Sequence, residues 1–135
     1  MADVAVILGS VTDNEIADRV CTTLTKCGIS FDRRVLSAHR DPESLDSYIK
    51  GNNCSVYIAI AGLSAALPGV IASRTDRPVI GIPVSGKLLG IDALLSIVQM
   101  PRGVPVACVG VDAAENAALL AKRILALAEM RETEV

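Results

Sequence analysis

The stretch CSVYIAIAGLSAALPGVIAS, from Cys54 to Ser73, carries no charged side chain, and its reading decides the architecture. A membrane-spanning helix needs about 20 predominantly apolar residues, so the length alone permits one. The texture does not. Gly62, Ser64, Pro68 and Gly69 interrupt the run where the β-branched Val56, Ile58 and Ile60 give way to Ala-rich sequence. That order predicts a buried strand over Val56 to Ala61, a turn and a helix, in place of a membrane span.

The same alternation extends in both directions. Val4 to Leu8 reads as a strand; Ile16, Ala17, Val20, Leu24 and Cys27 then recur at helical spacing until Gly28. Phe31 to Leu36 reads as a second strand, placed at a sheet edge by the paired Arg33 and Arg34. Asp41 and Pro42 are suited to start a helix that buries Leu45, Tyr48 and Ile49. Val79 to Pro83 is a central strand, Asp92 to Val98 a short helix, and Val104 to Val111 contains a fifth strand. Asp112 and Glu115 have the spacing of a capping box before a last helix carrying Ala117, Leu120, Ile124 and Leu127, and Met130 to Val135 reads as a tail. Strands alternating with helices specify a three-layer α/β/α sandwich around about five parallel strands. All of residues 1–135 read as one domain, without repeat or linker.

Composition excludes several functions. Lys and Arg number 13 against 15 Asp and Glu, a net charge of −2, and aromatic residues amount to two Tyr and one Phe. Neither a cationic field nor a stacking platform for nucleic acid is present. One His and four scattered Cys provide no metal-ligand spacing, and no C-x-x-C pair occurs. The cysteines read as free buried thiols, and with no secretory leader pattern at the start the chain is expected to be cytoplasmic. No G-x-G-x-x-G follows a strand, so a dinucleotide fingerprint is absent. The chain is 51% hydrophobic with a mean hydropathy of +0.47. For so small a domain that is a surplus, which predicts subunit contacts.

In open parallel sheets, ligands bind beyond the carboxyl ends of the strands, which directs attention to four junctions. Gly9-Ser10-Val11-Thr12-Asp13 offers two hydroxyls at a helix start, suited either to an anion or to plain helix capping by Thr12 or Asp13. The Asp13 carboxylate would repel a phosphate and suits a ribose hydroxyl better. Ser37-Ala38-His39-Arg40-Asp41-Pro42 holds the only imidazole, the side chain that exchanges protons near neutral pH, beside a guanidinium suited to phosphate. Each also has a plain reading, His39 as a surface loop residue and Arg40 in a surface ion pair. Ala61 to Gly69 has small side chains that let backbone approach a planar ligand or pack tightly on the sheet. Ser85 to Gly90 is a flexible polar turn, with Lys87 its only charge, that either closes over a site or faces solvent.

Taken together, Gly9 to Asp13, Ser37 to Pro42, Leu67-Pro68-Gly69 and, most specifically, the run Leu94 to Val106 (LLSIVQMPRGVPV) resemble the PurE family of purine biosynthesis. The resemblance covers about Val4 to Glu129. It implies a flavodoxin-like parallel sheet assembled into a homo-octamer, and an enzyme that forms 4-carboxy-5-aminoimidazole ribonucleotide without metal or cofactor. Carried over by residue, it implies that Ser10, Thr12, Ser37 and Arg40 hold the substrate phosphate, with Thr12 standing where serine is usual. It further implies that Asp13 binds the ribose, that His39 shuttles the proton, and that Gly62, Ala66 and Leu67 enclose the imidazole and carbon dioxide. Members that move the carboxylate of N5-carboxyaminoimidazole ribonucleotide usually read A-A-H-L-P-G in this loop, and here Ala66 replaces the histidine. The branch using free carbon dioxide also lacks it but typically has lysine after the catalytic histidine, where this chain has Arg40. The flanks resemble the mutases and the loop does not, so the implied activity is mutase first, direct carboxylation second, and a non-catalytic nucleotide-binding paralogue third.

Overall fold

The computed structural model describes residues 2–133. Its strands β1 (Val4–Leu8), β2 (Phe31–Val35), β3 (Val56–Ala61), β4 (Val79–Pro83) and β5 (Ala107–Cys108) form one parallel sheet in the order β2-β1-β3-β4-β5. Helices α1 (Asn14–Lys26), α2 (Pro42–Lys50), α3 (Leu67–Ala72), α4 (Ile91–Val98) and α5 (Ala114–Thr133) fill the connections. This is the doubly wound, flavodoxin-like arrangement expected. The uncharged run resolves into β3, its loop and α3, and among the described residues no helix is long and apolar enough to cross a membrane.

Strand periodicity divides the core in two, because successive side chains leave opposite faces of the sheet. Val4, Val6, Leu8, Val56, Ile58, Ile60, Ile80 and Ile82 pack against α1 and α5. Ala5, Ile7, Tyr57, Ala59, Ala61 and Val79 pack with Leu45, Ile49, Leu67, Ile71 and Ile97 on the other side. Both faces are covered, so the central strands are buried throughout and show no polar alternation. Gly28, at φ +70°, ends the first helical stretch in the left-handed conformation that favours glycine.

β2 is the expected edge, and its arginines are paired. Arg33 reaches Asp18 at 2.6 Å and Asn14 Oδ1 at 2.9 Å, while Arg34 reaches Asp32 at 3.0 Å. The strand stops at Val35, one residue short of the expected Leu36. Tyr48 is half-buried, its hydroxyl donating to Asp32 at 2.6 Å. Of the four free cysteines, Cys21 and Cys54 are buried as expected, whereas Cys27 and Cys108 are partly exposed.

Three local expectations require correction. Asp41 precedes α2 without capping it, because its carboxylate accepts instead from the Ser37 amide at 3.1 Å. The capping box at Asp112 does not form: Asp112 has φ +58°, outside the extended backbone of a cap, and Glu115 is drawn into a bidentate pair with Arg19 at 2.9 and 2.6 Å. The tail is helical through Thr133, with Glu134 and Val135 outside the described residues. At 1.5 Å per residue α5 outruns strands of five residues. Its buried stripe is therefore the early Ala114, Ala117, Ala118 and Ala121, Leu120 and Ile124 are only partly covered, and Leu127 lies 61% exposed.

Candidate functional site

All strands run parallel, and the order in which they are added reverses between β1 and β3, so the cleft beyond their carboxyl ends is the topological switch point where such sheets bind ligands. A cavity of about 510 Å³ lies there.

The loop after β1 forms its floor. Gly9 continues the ladder by donating to the Ile60 carbonyl at 3.1 Å. Ser10 then caps a single 3-10 turn, Val11–Asp13; its Oγ accepts from the Thr12 amide at 3.3 Å and from Thr12 Oγ1 at 3.0 Å. Asp13 stands at the head of α1 yet makes no capping bond with its side chain, so neither Thr12 nor Asp13 serves the plain capping role. Asp13 is only 9% exposed. Burial, and then the negative charge of Asp112, push its carboxyl above the ordinary range.

The loop after β2 is a preformed turn. Buried Ser37 accepts from the Arg40 amide at 3.1 Å through Oγ, and the Asp41 amide donates to the Ser37 carbonyl at 2.9 Å. This brace holds His39 at the rim. The Arg40 guanidinium crosses to the neighbouring loop and donates to the Gly9 carbonyl at 2.7 Å. One hydrogen bond thus ties together the two loops that looked most functional in sequence, and Arg40 keeps further N–H donors for an anion.

The cavity is lined by Ser10, Thr12, Asp13, Ser37, His39, Arg40 and Gly62, together with Gly9, Leu63, Val84, Ser85, Gly86 and Asp92. Ala66 and Leu67, expected to enclose the substrate ring, do not line it. Leu67 is 3% exposed and belongs to the core beneath α3. Ala66 lines a second groove with Ser64, Gly69, Val70 and Met100, and His39 is the residue shared by both hollows. Ser85 and Gly86 bring the polar turn after β4 into the cavity wall, Val84 and Asp92 were not singled out in sequence, and Lys87 is exposed outside the cavity. The available signal for Asp92 was a carboxylate in the first turn of the helix after β4.

Arg40, His39, the hydroxyls of Ser10, Thr12 and Ser37 and the carboxylates of Asp13 and Asp92 therefore line one space. Such a surface suits a small polar ligand with an anionic end and hydroxyl groups, held at a flavodoxin-like switch point, and defines a nucleotide-type small-molecule site. The comparisons agree. Residues 3–134 match the family described as AIR carboxylase, and the chain belongs to that family. It is 54% identical over 124 residues to an N5-carboxyaminoimidazole ribonucleotide mutase of Methanocaldococcus jannaschii, covering 92% of this chain and 79% of that one. With the mutase of Saccharolobus solfataricus it shares 51% over 131 residues, covering 94% and 83%. Treponema denticola PurE superposes with a TM-score of 0.84 at 34% identity, covering 92% of this chain and 80% of the other.

Proposed function

We propose that the chain is an N5-carboxyaminoimidazole ribonucleotide mutase of purine biosynthesis, moving a carboxylate from N5 to C4 of the imidazole. The observation that carries this reading is the Arg40 to Gly9 bridge, which gathers the phosphate-type donors, the Asp13 carboxylate and the only imidazole around one cavity. Ser10, Thr12, Ser37 and Arg40 take the phosphate, Asp13 accepts from the ribose, and Gly62 lies against the base.

The chemistry follows from the substrate. C4 of an aminoimidazole is enamine-like, so once the N5–carboxyl bond breaks to release carbon dioxide, C4 can attack it if both stay together away from water. Attack leaves C4 with a surplus proton, whose removal restores aromaticity. His39 takes that proton and returns one to N5, so atoms and charge balance with no external reagent.

Ala66 supports a second reading. Beside His39 the groove presents a methyl group, which suits uncharged carbon dioxide, and direct carboxylation would use it. An octamer is part of the proposal: α4 buries Ala93 and Ile97 but turns Ile91, Leu95 and Val98 to solvent beside exposed Leu88 and Leu89, an apolar face suited to other copies. We place the protein in the cytoplasm, a compartment that suits its four free thiols. The test supplies purified protein with N5-carboxyaminoimidazole ribonucleotide, or with aminoimidazole ribonucleotide in bicarbonate. Faster conversion of the first supports the mutase; turnover that follows dissolved carbon dioxide and ignores the carbamate overturns it.

A further inference from the structure

The wall of the cavity formed by Val84, Ser85 and Gly86 belongs to a loop whose own backbone bonds run from the Val84 amide to the Ala61 carbonyl and from the Leu89 amide to the Gly86 carbonyl, both at 3.1 Å. Ser85 to Leu89 are exposed, and Leu89 adopts φ +58°, a left-handed conformation that a branched side chain occupies only under constraint. The constraint comes from the turn after β5. Asp112, itself left-handed at φ +58°, donates its amide to the Pro83 carbonyl at 2.8 Å. Its carboxylate accepts from the Ser85 amide at 2.9 Å and from the Ser85 hydroxyl at 2.6 Å. At the far end of the loop Gly90 packs so closely on Val111 that an added Cβ would stand 2.7 Å from it. Residues 111 and 112 thus grip the loop at its first turn and its last.

We propose that Asp112, which does not itself line the cavity, is a positioning residue for the site: its carboxylate fixes Ser85 and, through it, the part of the nucleotide cavity wall formed by Val84, Ser85 and Gly86. This rests on the reading of the cavity as the substrate site. A carboxylate is suited to the task because it accepts two hydrogen bonds from one residue, and a charged acceptor makes them stronger than a neutral one would. The left-handed backbone excludes most other residues that could present an acceptor there. Without the clamp, the loop samples open conformations, and part of the substrate's binding free energy is spent on ordering it.

The test uses the full chain with Asp112→Gly and Asp112→Asn. Glycine removes the carboxylate while accepting the positive φ, so the fold is not strained; asparagine also tolerates that φ and keeps an acceptor for the Ser85 amide. Hydrogen exchange at the Ser85 to Leu89 amides is read first, because it reports the clamp whether or not the cavity binds this substrate. Faster exchange in Asp112→Gly, restored in Asp112→Asn, is expected. Steady-state kinetics with N5-carboxyaminoimidazole ribonucleotide should then show KM raised about tenfold in Asp112→Gly, kcat within about threefold, and recovery of most of the loss in Asp112→Asn. Unchanged exchange in Asp112→Gly overturns the clamp. Altered exchange with unchanged KM overturns its role in the site. Wild-type protein that neither binds nor converts the nucleotide, with the exchange pattern as expected, would refute the substrate reading and leave the clamp standing.

Discussion

Arg40 is the residue whose loss should be most informative. Its guanidinium has five N–H donors, and the structure commits one NH2 group to the Gly9 carbonyl at 2.7 Å. Arg40 lines the cavity together with the hydroxyls of Ser10, Thr12 and Ser37, so a phosphate dianion bound there would accept charge-assisted hydrogen bonds from the remaining donors. Each such bond contributes about 1.5–3 kcal/mol; solvent at this exposed position reduces that, and truncation also frees the loop after β2 from the loop after β1. Arg40→Ala should therefore cost roughly 2–4 kcal/mol of nucleotide affinity, an increase in Kd of about 30- to 700-fold. Arg40→Lys should recover only part of this, since one ammonium cannot both bridge to Gly9 and present a planar fork to phosphate. Calorimetry on each variant, with the ribonucleotide and with its nucleoside, separates the two contributions. The nucleoside should lose far less than the nucleotide. If both weaken equally, Arg40 braces the loops and is not the phosphate ligand.

His39→Asn should reduce turnover by at least about 10²-fold while Kd for the nucleotide stays within about tenfold; a rate assay and calorimetry on the same preparation check it, and a variant retaining several per cent of activity would remove His39 from the mechanism. Asp13 carries a raised pKa, so its ionised form opposes folding: that cost is absent below the ordinary carboxylate value of 3.8 and is incurred as pH rises through the folded value. Asp13→Asn should accordingly melt higher than wild type at pH 7 but not at pH 3, and bind the nucleotide about tenfold more weakly, as calorimetry and thermal unfolding at both pH values will show. Gly81→Ala in β4 would place a Cβ 2.6 Å from Ile97 Cγ2 and 3.2 Å from Pro68 Cγ. Overpacking of that kind costs about 1–3 kcal/mol, which in a chain of this size lowers Tm by about 3–10 °C; an unchanged Tm would mean that α4 shifts freely on the sheet.

Much of the fold was legible because a sheet buried on both faces writes itself as continuous β-branched runs, and β1, β3 and β4 match their expected residues. The edge was legible for the opposite reason: Arg33 and Arg34 would be intolerable in a central strand. The end of α5 was not, since the Ala and Leu pattern stops at Ala128 while the helix runs on through mostly charged and polar residues to Thr133. At the site, Ser10 to Asp13 and Ser37 to Arg40 stood out because each is a contiguous polar turn directly after a strand. Leu67 begins α3, whose first turn rotates it into the core, a placement its adjacency to Ala66 in sequence does not reveal. The roles of Asp112 and Glu115 depend on Ser85 and Arg19, partners that only the tertiary structure brings near. Local spacing suggested a cap, and longer-range hydrogen bonds took both carboxylates.

The central claim is that the carboxylate migrates within one cavity from N5 to C4. Supplying N5-carboxyaminoimidazole ribonucleotide labelled with ¹³C in its carbamate, in unlabelled bicarbonate buffer, and reading the C4 carboxylate by mass spectrometry over the first turnovers tests this directly. Retention of most of the label at C4 is the expected result. Product carrying only carbon from the buffer would mean that carbon dioxide enters from solution, and the mutase assignment would be wrong.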